Sequence, residues 1–314
     1  MTVEKYFVLQ GGDRMPRIGF GTWQASDEVL EKSVSDALSA GYRHFDTARA
    51  YENEAALGRA LTRWIGGEQT RRKELFVVTK LPPGGNRPDL VPEYFNNSLK
   101  DLGLDYLDMY IMHTPFAFEH IPGDLHPKNP DGSMRVDLST DLIAVWKAIL
   151  KLKESGRVRH VGVSNVNEEQ LRRLCAVEKP ACLQIEVHVL CQQKSMIGIA
   201  SELGIPIVAY SPLGSKALAD VLAAKTGREY PDLLSLPIVQ RIADAHSRTA
   251  AQVLLRYTLQ RGVGAIPKST NPARIQQNIS LWNFELTESE LKELSTVDRG
   301  ENGRICDFSL SIYL

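Results

Sequence analysis

Four side chains near the ends of predicted strands have the types needed for proton transfer. Asp46, Lys80 and His113 end three consecutive predicted strands, and Tyr51 follows Asp46 by five residues. A free tyrosine, with a pKa of about 10, is a poor acid at neutral pH, and a neighbouring ammonium lowers that pKa. Lys80 is the expected ammonium, Asp46 its ion partner, and His113 a group that orients a carbonyl oxygen. The set predicts a tuned general acid, although a buried Asp–Lys pair beside a core histidine gives the same pattern.

A second group, at 266–278, has the composition of a phosphate site. It follows the last predicted strand and opens a helix, with Pro272 suited to the first turn. Free N–H groups and the macrodipole of a helix N-terminus attract phosphate, and Lys268, Ser269 and Arg274 add two cations and a hydroxyl. We predict a phosphate site here, with an ordinary helix start bearing surface charges as the alternative.

A third segment, Tyr210 to Ser215, also follows a predicted strand. The ring of Tyr210 could stack on a flat heterocycle. The alternative is a packing tyrosine followed by a Pro/Gly turn.

The elements that position these residues alternate along the chain. Between the helical patterns lie eight short apolar runs, which are Ile18–Phe20, Tyr42–Phe45, Leu75–Val78, Tyr106–Met112, Arg159–Val163, Leu183–Ile185, Pro206–Ala209 and Val263–Ile266. Repeated strand–helix units imply a parallel sheet, and eight closed units make a TIM barrel. We therefore predict an α/β fold, a (β/α)8 TIM barrel in one domain over 1–314. An open doubly wound sheet is disfavoured because Gly19-Phe20-Gly21 lacks the third glycine of a dinucleotide fingerprint.

The remaining segments are predicted to decorate the two ends of the barrel. Two short apolar runs around Gly11-Gly12-Asp13 predict an N-terminal β-hairpin that caps the barrel bottom. The connections 114–137 and 211–236 and the tail 299–314 exceed the usual length of roughly two to six residues. The first two follow strands, so long loops are expected at the C-terminal face, where lids and specificity elements lie.

Several helix starts carry their own signals. Ser26 and Thr249 are predicted N-caps, and Thr287 with Glu290 predicts a capping box. These signals fix where individual helices begin but say nothing about how the helices pack.

Composition narrows the functional class. Lys+Arg 37 against Asp+Glu 38 gives a net charge of −1 over 314 residues, so no global field would hold nucleic acid or an anionic membrane. None of the four cysteines forms a CxxC pair, which is typical of ordinary thiols in a reducing compartment. The N-terminus lacks a basic segment followed by an apolar run, and we predict a cytoplasmic protein with no nucleic-acid or membrane partner.

Several motifs in the right order make the chain resemble the aldo-keto reductase superfamily, in its aldose-reductase-like branch. The motifs are Gly19-Phe20-Gly21-Thr22-Trp23, Asp46-Thr47-Ala48-x-x-Tyr51-x-Asn53-Glu54, Leu107-Asp108-Met109-Tyr110-Ile111-Met112-His113-x-Pro115, Gly162-Val163-Ser164-Asn165, Gln184-Ile185-Glu186-Val187-His188, and Ile266-Pro267-Lys268-Ser269 with Arg274 and Asn278. Together they span essentially the whole chain. No one of them would be specific alone.

This resemblance implies an NADPH-dependent carbonyl reductase that acts on a small aldehyde or ketone as a monomer. Tyr51 would donate the proton, Asp46 and Lys80 would tune it, and His113 would orient the carbonyl. Trp23 would line the substrate pocket with Tyr51 and His113. The residues implied to contact NADPH or NADP+ are Thr22 and Asp46; Ser164, Asn165 and Gln184 at the nicotinamide carboxamide; Tyr210 stacked on the ring; Ser211, Leu213 and Ser215 at the pyrophosphate; Lys268, Ser269 and Arg274 at the 2′-phosphate; and Gln277 and Asn278 at the adenine.

Two departures from the family pattern bear on specificity. Thr114 stands where this branch often has tryptophan, so a smaller side chain would widen the pocket for bulkier ketones. Gln277 stands where glutamate is common, which would change the adenine contact.

Two other functions are compatible with the residues. His44 and Asp46 alternate on one strand and, with His113 and His188, could ligate zinc in a barrel metallohydrolase. That alternative leaves the predicted phosphate site without a role, and the reductase hypothesis needs no metal. An NADPH-binding regulatory subunit with little turnover is the third possibility, because a fold alone does not grant activity.

Overall fold

Strands and helices alternate along the computed structural model of the chain, which describes residues 3–227 and 229–306. The strands in these ranges are β1 (Tyr6–Val8), β2 (Arg14–Pro16), β3 (Phe20–Gly21), β4 (His44–Asp46), β5 (Phe76–Leu81), β6 (Leu107–Met112), β7 (Ala117–Phe118), β8 (Val136–Asp137), β9 (Val158–Ser164), β10 (Leu183–Glu186), β11 (Ile207–Tyr210) and β12 (Gly264–Ala265). The α-helices are α1 (Asp27–Ala40), α2 (Glu54–Ile65), α3 (Gln69–Glu74), α4 (Val91–Leu102), α5 (Leu142–Glu154), α6 (Glu168–Cys175), α7 (Lys194–Glu202), α8 (Lys216–Thr226), α9 (Pro237–His246), α10 (Ala250–Gln260), α11 (Pro272–Ile279) and α12 (Glu288–Ser295).

Eight strands form one parallel sheet in the order β3, β4, β5, β6, β9, β10, β11, β12. The sheet closes on itself where Ile18, just before β3, pairs in parallel with Ala265 of β12. Gly19 N–H donates to the Ala265 carbonyl at 2.9 Å, and Ala265 N–H donates to the Arg17 carbonyl at 2.7 Å. The predicted (β/α)8 TIM barrel is therefore confirmed. One domain over 1–314 stays a prediction.

The N-terminal hairpin closes the barrel bottom, as predicted. β1 and β2 pair antiparallel, with Phe7 opposite Met15. Both side chains are buried in a cluster with barrel-interior residues, including Phe76, Met109 and Val208. His160 near the start of β9 contacts Asp13 of the hairpin turn at 2.9 Å, which ties the plug to the strand starts. Burial of these apolar side chains excludes water from the end of the barrel opposite the strand C-termini.

Two helix-start predictions are confirmed in full and one in position only. Thr249 caps α10 through a reciprocal capping box with Gln252, and Thr287 caps α12 through Glu290. Ser26 stands at the N-cap of α1, but its side chain makes no capping hydrogen bond. Asp27 and Glu28 lie in the first turn of that helix, where their charge suits the macrodipole.

The long connections contain more structure than predicted. The connection 114–137 carries the antiparallel pair β7 and β8. The segment 211–236, predicted as a loop, holds α8 and a short 3-10 turn at Leu233–Ser235. In the tail, Gly300–Gly303 form another 3-10 turn, whereas 307–314 lie outside the described residues.

No helix within residues 3–227 and 229–306 has the length and apolar character needed to cross a membrane.

Gly58 provides a test of the packing of α2 on α4. A methyl group at Gly58 would lie 2.5 Å from the carbonyl oxygen of Leu102, which is backbone and cannot swing aside. We expect Gly58→Ala to lower the free energy of unfolding by about 1–3 kcal/mol through overpacking. Gly198 in α7 is the matched control, because a methyl group there would have no neighbour within 4 Å. Gly198→Ala should stabilise by roughly 0.5–1 kcal/mol from helix propensity. Urea denaturation of both variants checks this, and equal midpoints would contradict the close approach.

Candidate active site

The C-terminal edge of the barrel brings the four predicted catalytic side chains together. Asp46 ends β4, Lys80 lies one residue before the end of β5, and His113 directly follows β6. Tyr51 lies at the end of a 3-10 turn, Arg49–Tyr51, that follows β4. Because the strands are parallel neighbours, their C-terminal ends meet at one edge, which explains why spacing in sequence became proximity in space.

Lys80 and Asp46 form a buried ion pair. Their Nζ and Oδ1 atoms lie 2.5 Å apart, and the two side chains are 0% and 2% exposed. Lys80 also donates to the carbonyl of Thr47 at 2.8 Å, and Gln184 Nε2 donates to Asp46 Oδ2 at 2.7 Å. Burial disfavours the ammonium, but the charge of Asp46 is the largest effect in the other direction, and the pKa of Lys80 is raised. Lys80 therefore stays charged at the base of the site.

Tyr51 points its hydroxyl at this pair. Lys80 Nζ lies 3.3 Å from Tyr51 Oη and 4.9 Å from the centre of its ring. Burial raises the pKa of Tyr51, and the Lys80 ammonium, which lowers it, offsets that effect only in part. Lys80 thus lowers this pKa, the direction expected from the sequence, but the desolvation of the phenolate, which the sequence does not reveal, is the larger effect. The tyrosine keeps its proton at neutral pH.

His113 lies beside Tyr51 as a neutral imidazole. The two rings meet edge to face with centroids 5.7 Å apart. Burial, with the charges of Lys80 and His126, moves the pKa of His113 well below its ordinary value. Its Nδ1 is buried and has no hydrogen-bond partner among the described residues. The ring can therefore give a hydrogen bond to a ligand oxygen without bringing a positive charge.

A group of three hydrogen-bonded side chains lies beside His113; it consists of Ser164, Asn165 and Tyr210. Asn165 Nδ2 donates to the His113 carbonyl at 3.0 Å and to Ser164 Oγ at 3.1 Å. Tyr210 Oη donates to Asn165 Oδ1 at 2.8 Å. The structure thus joins these three predicted residues, and the Tyr210 bond to Asn165 was not foreseen. Gln184 on β10 pairs in register with Ser164 on β9, and its side-chain amide donates one hydrogen bond to Asp46.

The predicted pyrophosphate segment is a tight turn at the end of β11. Ser211 has a φ of 48° and its carbonyl accepts from Gly214 N–H at 2.9 Å. Gly214 has a φ of 66°, a backbone conformation that glycine adopts without strain. Leu213 packs in part against the core, and Ser215 precedes the first residue of α8. The turn presents backbone groups at the same barrel edge as Asn165.

The predicted phosphate site at 266–278 gathers cations at a helix start. α11 begins at Pro272, and Asn271 caps it by accepting from Arg274 N–H at 3.1 Å. Lys268 lies in the segment that leads into α11, and burial together with the charge of Arg274 lowers the pKa of Lys268. Neither pairs with a carboxylate within residues 3–227 and 229–306. Ser269 is buried, as is Asn278, whereas Gln277 is half-buried.

Three residues discussed from the sequence, Thr22, Trp23 and Thr114, differ in burial and in hydrogen bonding. Thr22 is buried and donates from Oγ1 to the Asp46 carbonyl at 3.0 Å, so it supports the ion pair through the backbone. Trp23, next in sequence, is half-buried. The hydroxyl of Thr114 donates to the Phe116 carbonyl at 2.8 Å, and its own carbonyl accepts from Asn86. Thr114 is buried, so its small side chain is used to fold the start of the long connection.

The four residues of the metallohydrolase alternative do not converge. His188 Nε2 lies 2.9 Å from Glu186 Oε1, and its Nδ1 accepts from Leu190 N–H at 3.3 Å. His44 Nδ1 contacts the Pro16 carbonyl at 2.9 Å, on the hairpin that plugs the opposite end of the barrel. Among the described residues there is no group of three or more metal-ligating side chains.

One buried carboxylate near the site has contacts that sequence reasoning missed. Glu186 ends β10 and accepts N–H bonds from Ile305 at 2.7 Å and Cys306 at 2.9 Å. These bonds hold Ile305 and Cys306 beside the end of β11, where Cys306 Sγ lies 3.9 Å from Ser211 Oγ. A polar residue at a strand end was the only signal, and it did not specify a partner 119 positions away.

These features define a class of protein: a TIM barrel with a buried cluster of titratable side chains at the C-terminal ends of its strands. More narrowly, the chain belongs to the aldo/keto reductase family, whose sequence profile matches residues 17–299. It is therefore an oxidoreductase that acts on carbonyl groups, in a family that generally uses NAD(P)H.

Individual relatives agree with this assignment. The chain is 41% identical over 298 residues to aldo-keto reductase family 1 member A1 of Gallus gallus, which covers 94% of this chain and 89% of that protein. The Homo sapiens protein of the same name is 40% identical over 296 residues, covering 93% and 89%. The solved structure of the aldose reductase from Schistosoma japonicum superimposes with a TM-score of 0.89 at 34% identity, covering 99% of this chain and 97% of that one.

Proposed function

We propose that the protein is an NADPH-dependent carbonyl reductase in which Tyr51 donates the proton to the substrate oxygen. The observation that carries this proposal is the Tyr51 hydroxyl, 3.3 Å from a fully buried ammonium and next to a neutral imidazole. A protonated phenol that faces a fixed positive charge is stabilised as it loses its proton. That is what a general acid requires.

The residues present suit a nicotinamide dinucleotide with a 2′-phosphate. Lys268 precedes α11 and Arg274 lies in its first turn; neither has a carboxylate partner in the described part of the chain, and a bound phosphate would stabilise both cations. Asn271 and Pro272 open α11 beside them, so free N–H groups add to the attraction. The proposed pyrophosphate contacts are Ser211, Leu213 and Ser215, and the proposed adenine contacts are Gln277 and Asn278.

The remaining proposed roles concern the nicotinamide end of the cofactor, the substrate carbonyl and the transfer of the proton from Tyr51. NADPH, when bound, supplies the hydride. Ser164, Asn165 and Gln184 would hold the nicotinamide carboxamide, with Tyr210 against the ring and Thr22 beside it. His113 would donate a hydrogen bond to the carbonyl oxygen of an aldehyde or ketone, and Trp23 would border that substrate. Tyr51 then gives its proton to the oxygen, and Lys80, held by Asp46, stabilises the phenolate that remains.

Arg274 tests the choice of NADPH over NADH. We expect Arg274→Ala to weaken NADPH binding by about 10- to 100-fold, because a hydrogen bond between charged groups contributes roughly 1.5–3 kcal/mol. NADH lacks the 2′-phosphate and should bind as before. Titration of both cofactors, followed by tryptophan fluorescence, measures the two affinities.

Arg241 supplies the control for that titration. It lies on α9 and forms an ion pair with Glu293, away from α11. Arg241→Ala should leave both affinities unchanged. Equal weakening of NADPH and NADH by Arg274→Ala would reject the 2′-phosphate assignment. The monomeric state and cytoplasmic location stay predictions from the sequence.

A further inference from the structure

The short turn that carries Tyr51 is held from outside the barrel by an arginine. Arg49 opens this 3-10 turn and its Nη1 donates to Glu54 Oε2 at 3.2 Å and to Asp101. Glu54 starts α2, and Asp101 lies near the end of α4. The side chain of Arg49 is 25% exposed and that of Glu54 only 1%. Arg49 contacts neither Tyr51 Oη nor Lys80, so any effect on the reaction must pass through the turn.

The carboxylate of Glu54 extends this contact to the strand that carries Lys80. Glu54 Oε1 accepts from Thr79 Oγ1 at 2.6 Å, and Glu54 Oε2 accepts from Ser98 Oγ at 3.1 Å. Thr79 is the residue before Lys80 on β5. One buried carboxylate therefore bridges the Tyr51 turn and the Lys80 strand.

Arg49 is one of the groups that favour the charged form of Glu54. Burial raises the pKa of Glu54, and the hydroxyls of Thr79 and Ser98 together with Arg49 oppose that rise. Without the guanidinium, the carboxyl would bind a proton more readily, and the turn would lose its ion pairs with Glu54 and Asp101.

Other contacts of the turn lie within it and on its solvent side, where His126 Nε2 also lies 3.8 Å from Glu52 Oε2. Within it, Tyr51 N–H donates to the Ala48 carbonyl at 2.9 Å, and Glu52 follows with a φ of 57°, in the left-handed region. On the solvent side, His126 Nε2 contacts the Ala50 carbonyl at 3.1 Å from the long connection after β6. A non-glycine residue with positive φ persists only where its surroundings hold it.

We propose that Arg49 is a positioning residue, which through Glu54 and Asp101 holds the Tyr51 hydroxyl at its distance from Lys80. This inference rests on the proposed role of Tyr51 as proton donor. Misplacing an acid by about 1 Å can cost on the order of 100-fold in rate. The brace, defined as Arg49, Glu54 and Asp101, would therefore act on turnover while leaving the cofactor site untouched.

Loss of the brace should also change how kcat depends on pH. The groups that face Tyr51 are Lys80 on β5, Asp46 on β4, His113 after β6, Tyr210 on β11 and Cys306 of the C-terminal segment. Of these, Lys80 is the one that lowers the pKa of Tyr51. If the turn relaxes away from Lys80, this pKa rises further. A proton donor is active below its pKa, so the alkaline limb of the kcat profile should move to higher pH.

The test uses the full-length enzyme with NADPH and an aldehyde. We expect Arg49→Met to lower kcat by about 10- to 100-fold, to leave the KM for NADPH unchanged, and to shift the alkaline limb upward. Arg49→Lys, which keeps one charge, should recover part of kcat. Arg59→Met is the matched control, because Arg59 on α2 also pairs with two carboxylates, Glu31 and Asp27, but at the surface. It should leave kcat and its pH profile unchanged.

A folded Arg49→Met with wild-type kcat and pH profile would overturn the proposal, as would an equal loss in Arg59→Met. If Arg49→Met does not fold, Asp101→Asn decides, because Asp101 is 35% exposed and we expect its substitution to cost less stability. A lower kcat with a raised alkaline limb in Asp101→Asn supports the brace, and a wild-type profile rejects it. Tyr51→Phe is measured in parallel. Near-normal turnover there overturns both proposals, whereas its collapse beside an unchanged Arg49→Met rejects only the brace.

Discussion

Tyr51→Phe should lower kcat by about 100- to 10,000-fold, the usual contribution of a positioned general acid. Phenylalanine keeps the ring that meets His113 edge to face and removes only the hydroxyl that lies 3.3 Å from Lys80 Nζ. The cofactor residues proposed on α11 and after β11 are unchanged, so NADPH should bind with its original affinity. Steady-state rates and a fluorescence titration of NADPH separate these two effects.

Tyr110→Phe is the control for removing a phenol from the barrel. Tyr110 lies on β6, is fully buried, and its hydroxyl has no hydrogen-bond partner among the described residues. The change should leave kcat unaltered. Near-wild-type turnover in Tyr51→Phe would show that the proton comes from another group.

Lys80→Met should damage both stability and turnover. Removing one partner of a buried ion pair leaves the other charge without compensation, which costs about 3–5 kcal/mol of unfolding free energy. Asp46 is buried and would keep only the hydrogen bonds of its other contacts, such as Gln184. Turnover should fall by about 100-fold or more, because Tyr51 loses the charge that stabilises its phenolate. Urea denaturation and steady-state kinetics measure the two losses.

The double variant Asp46→Asn with Lys80→Met separates the loss of stability from the loss of turnover. It removes both charges, so it should regain most of the stability lost in the single variant while remaining inactive. A double variant no more stable than Lys80→Met would contradict the ion-pair argument. Full activity in either variant would contradict the role of Lys80.

Local patterns were sufficient to predict the barrel. Each βα unit carries its own strand run and helix signals, and Thr249 and Thr287 cap their helices through contacts three residues away. Closure between Ile18 and Ala265 agrees with the eight predicted strand runs, because eight βα units are the number that a TIM barrel contains. The missed helix α8, in a segment predicted as a loop, has only a weak amphipathic pattern, Lys216–Thr226, behind a Pro/Gly turn.

The sequence was sufficient to predict which side chains meet in the site, but not the net shift of the Tyr51 pKa. Residue types indicated that Lys80 would act on Tyr51, and Lys80 Nζ does lie within hydrogen-bond distance of Tyr51 Oη. The direction of the pKa shift of Tyr51 depends on how much burial outweighs that charge. Burial results from the packing of the whole chain, including Cys306 beside the pocket, and no local pattern contains it.

Contacts between distant segments were the other gap. Asp101 meets Arg49 across 52 positions, and Ile305 meets Glu186 across 119. Neither pair has a spacing or motif that marks it. Such pairs become visible only once the strands and helices are placed.

The most direct test of the proposed function is the change in NADPH absorbance when the purified protein meets a panel of aldehydes and bulky ketones, with NADH in parallel. We expect carbonyl-dependent oxidation of the cofactor with NADPH strongly preferred, and the loss of that oxidation in Tyr51→Phe. Tight NADPH binding without oxidation of any carbonyl in the panel would contradict the reductase and favour a cofactor-binding regulatory protein.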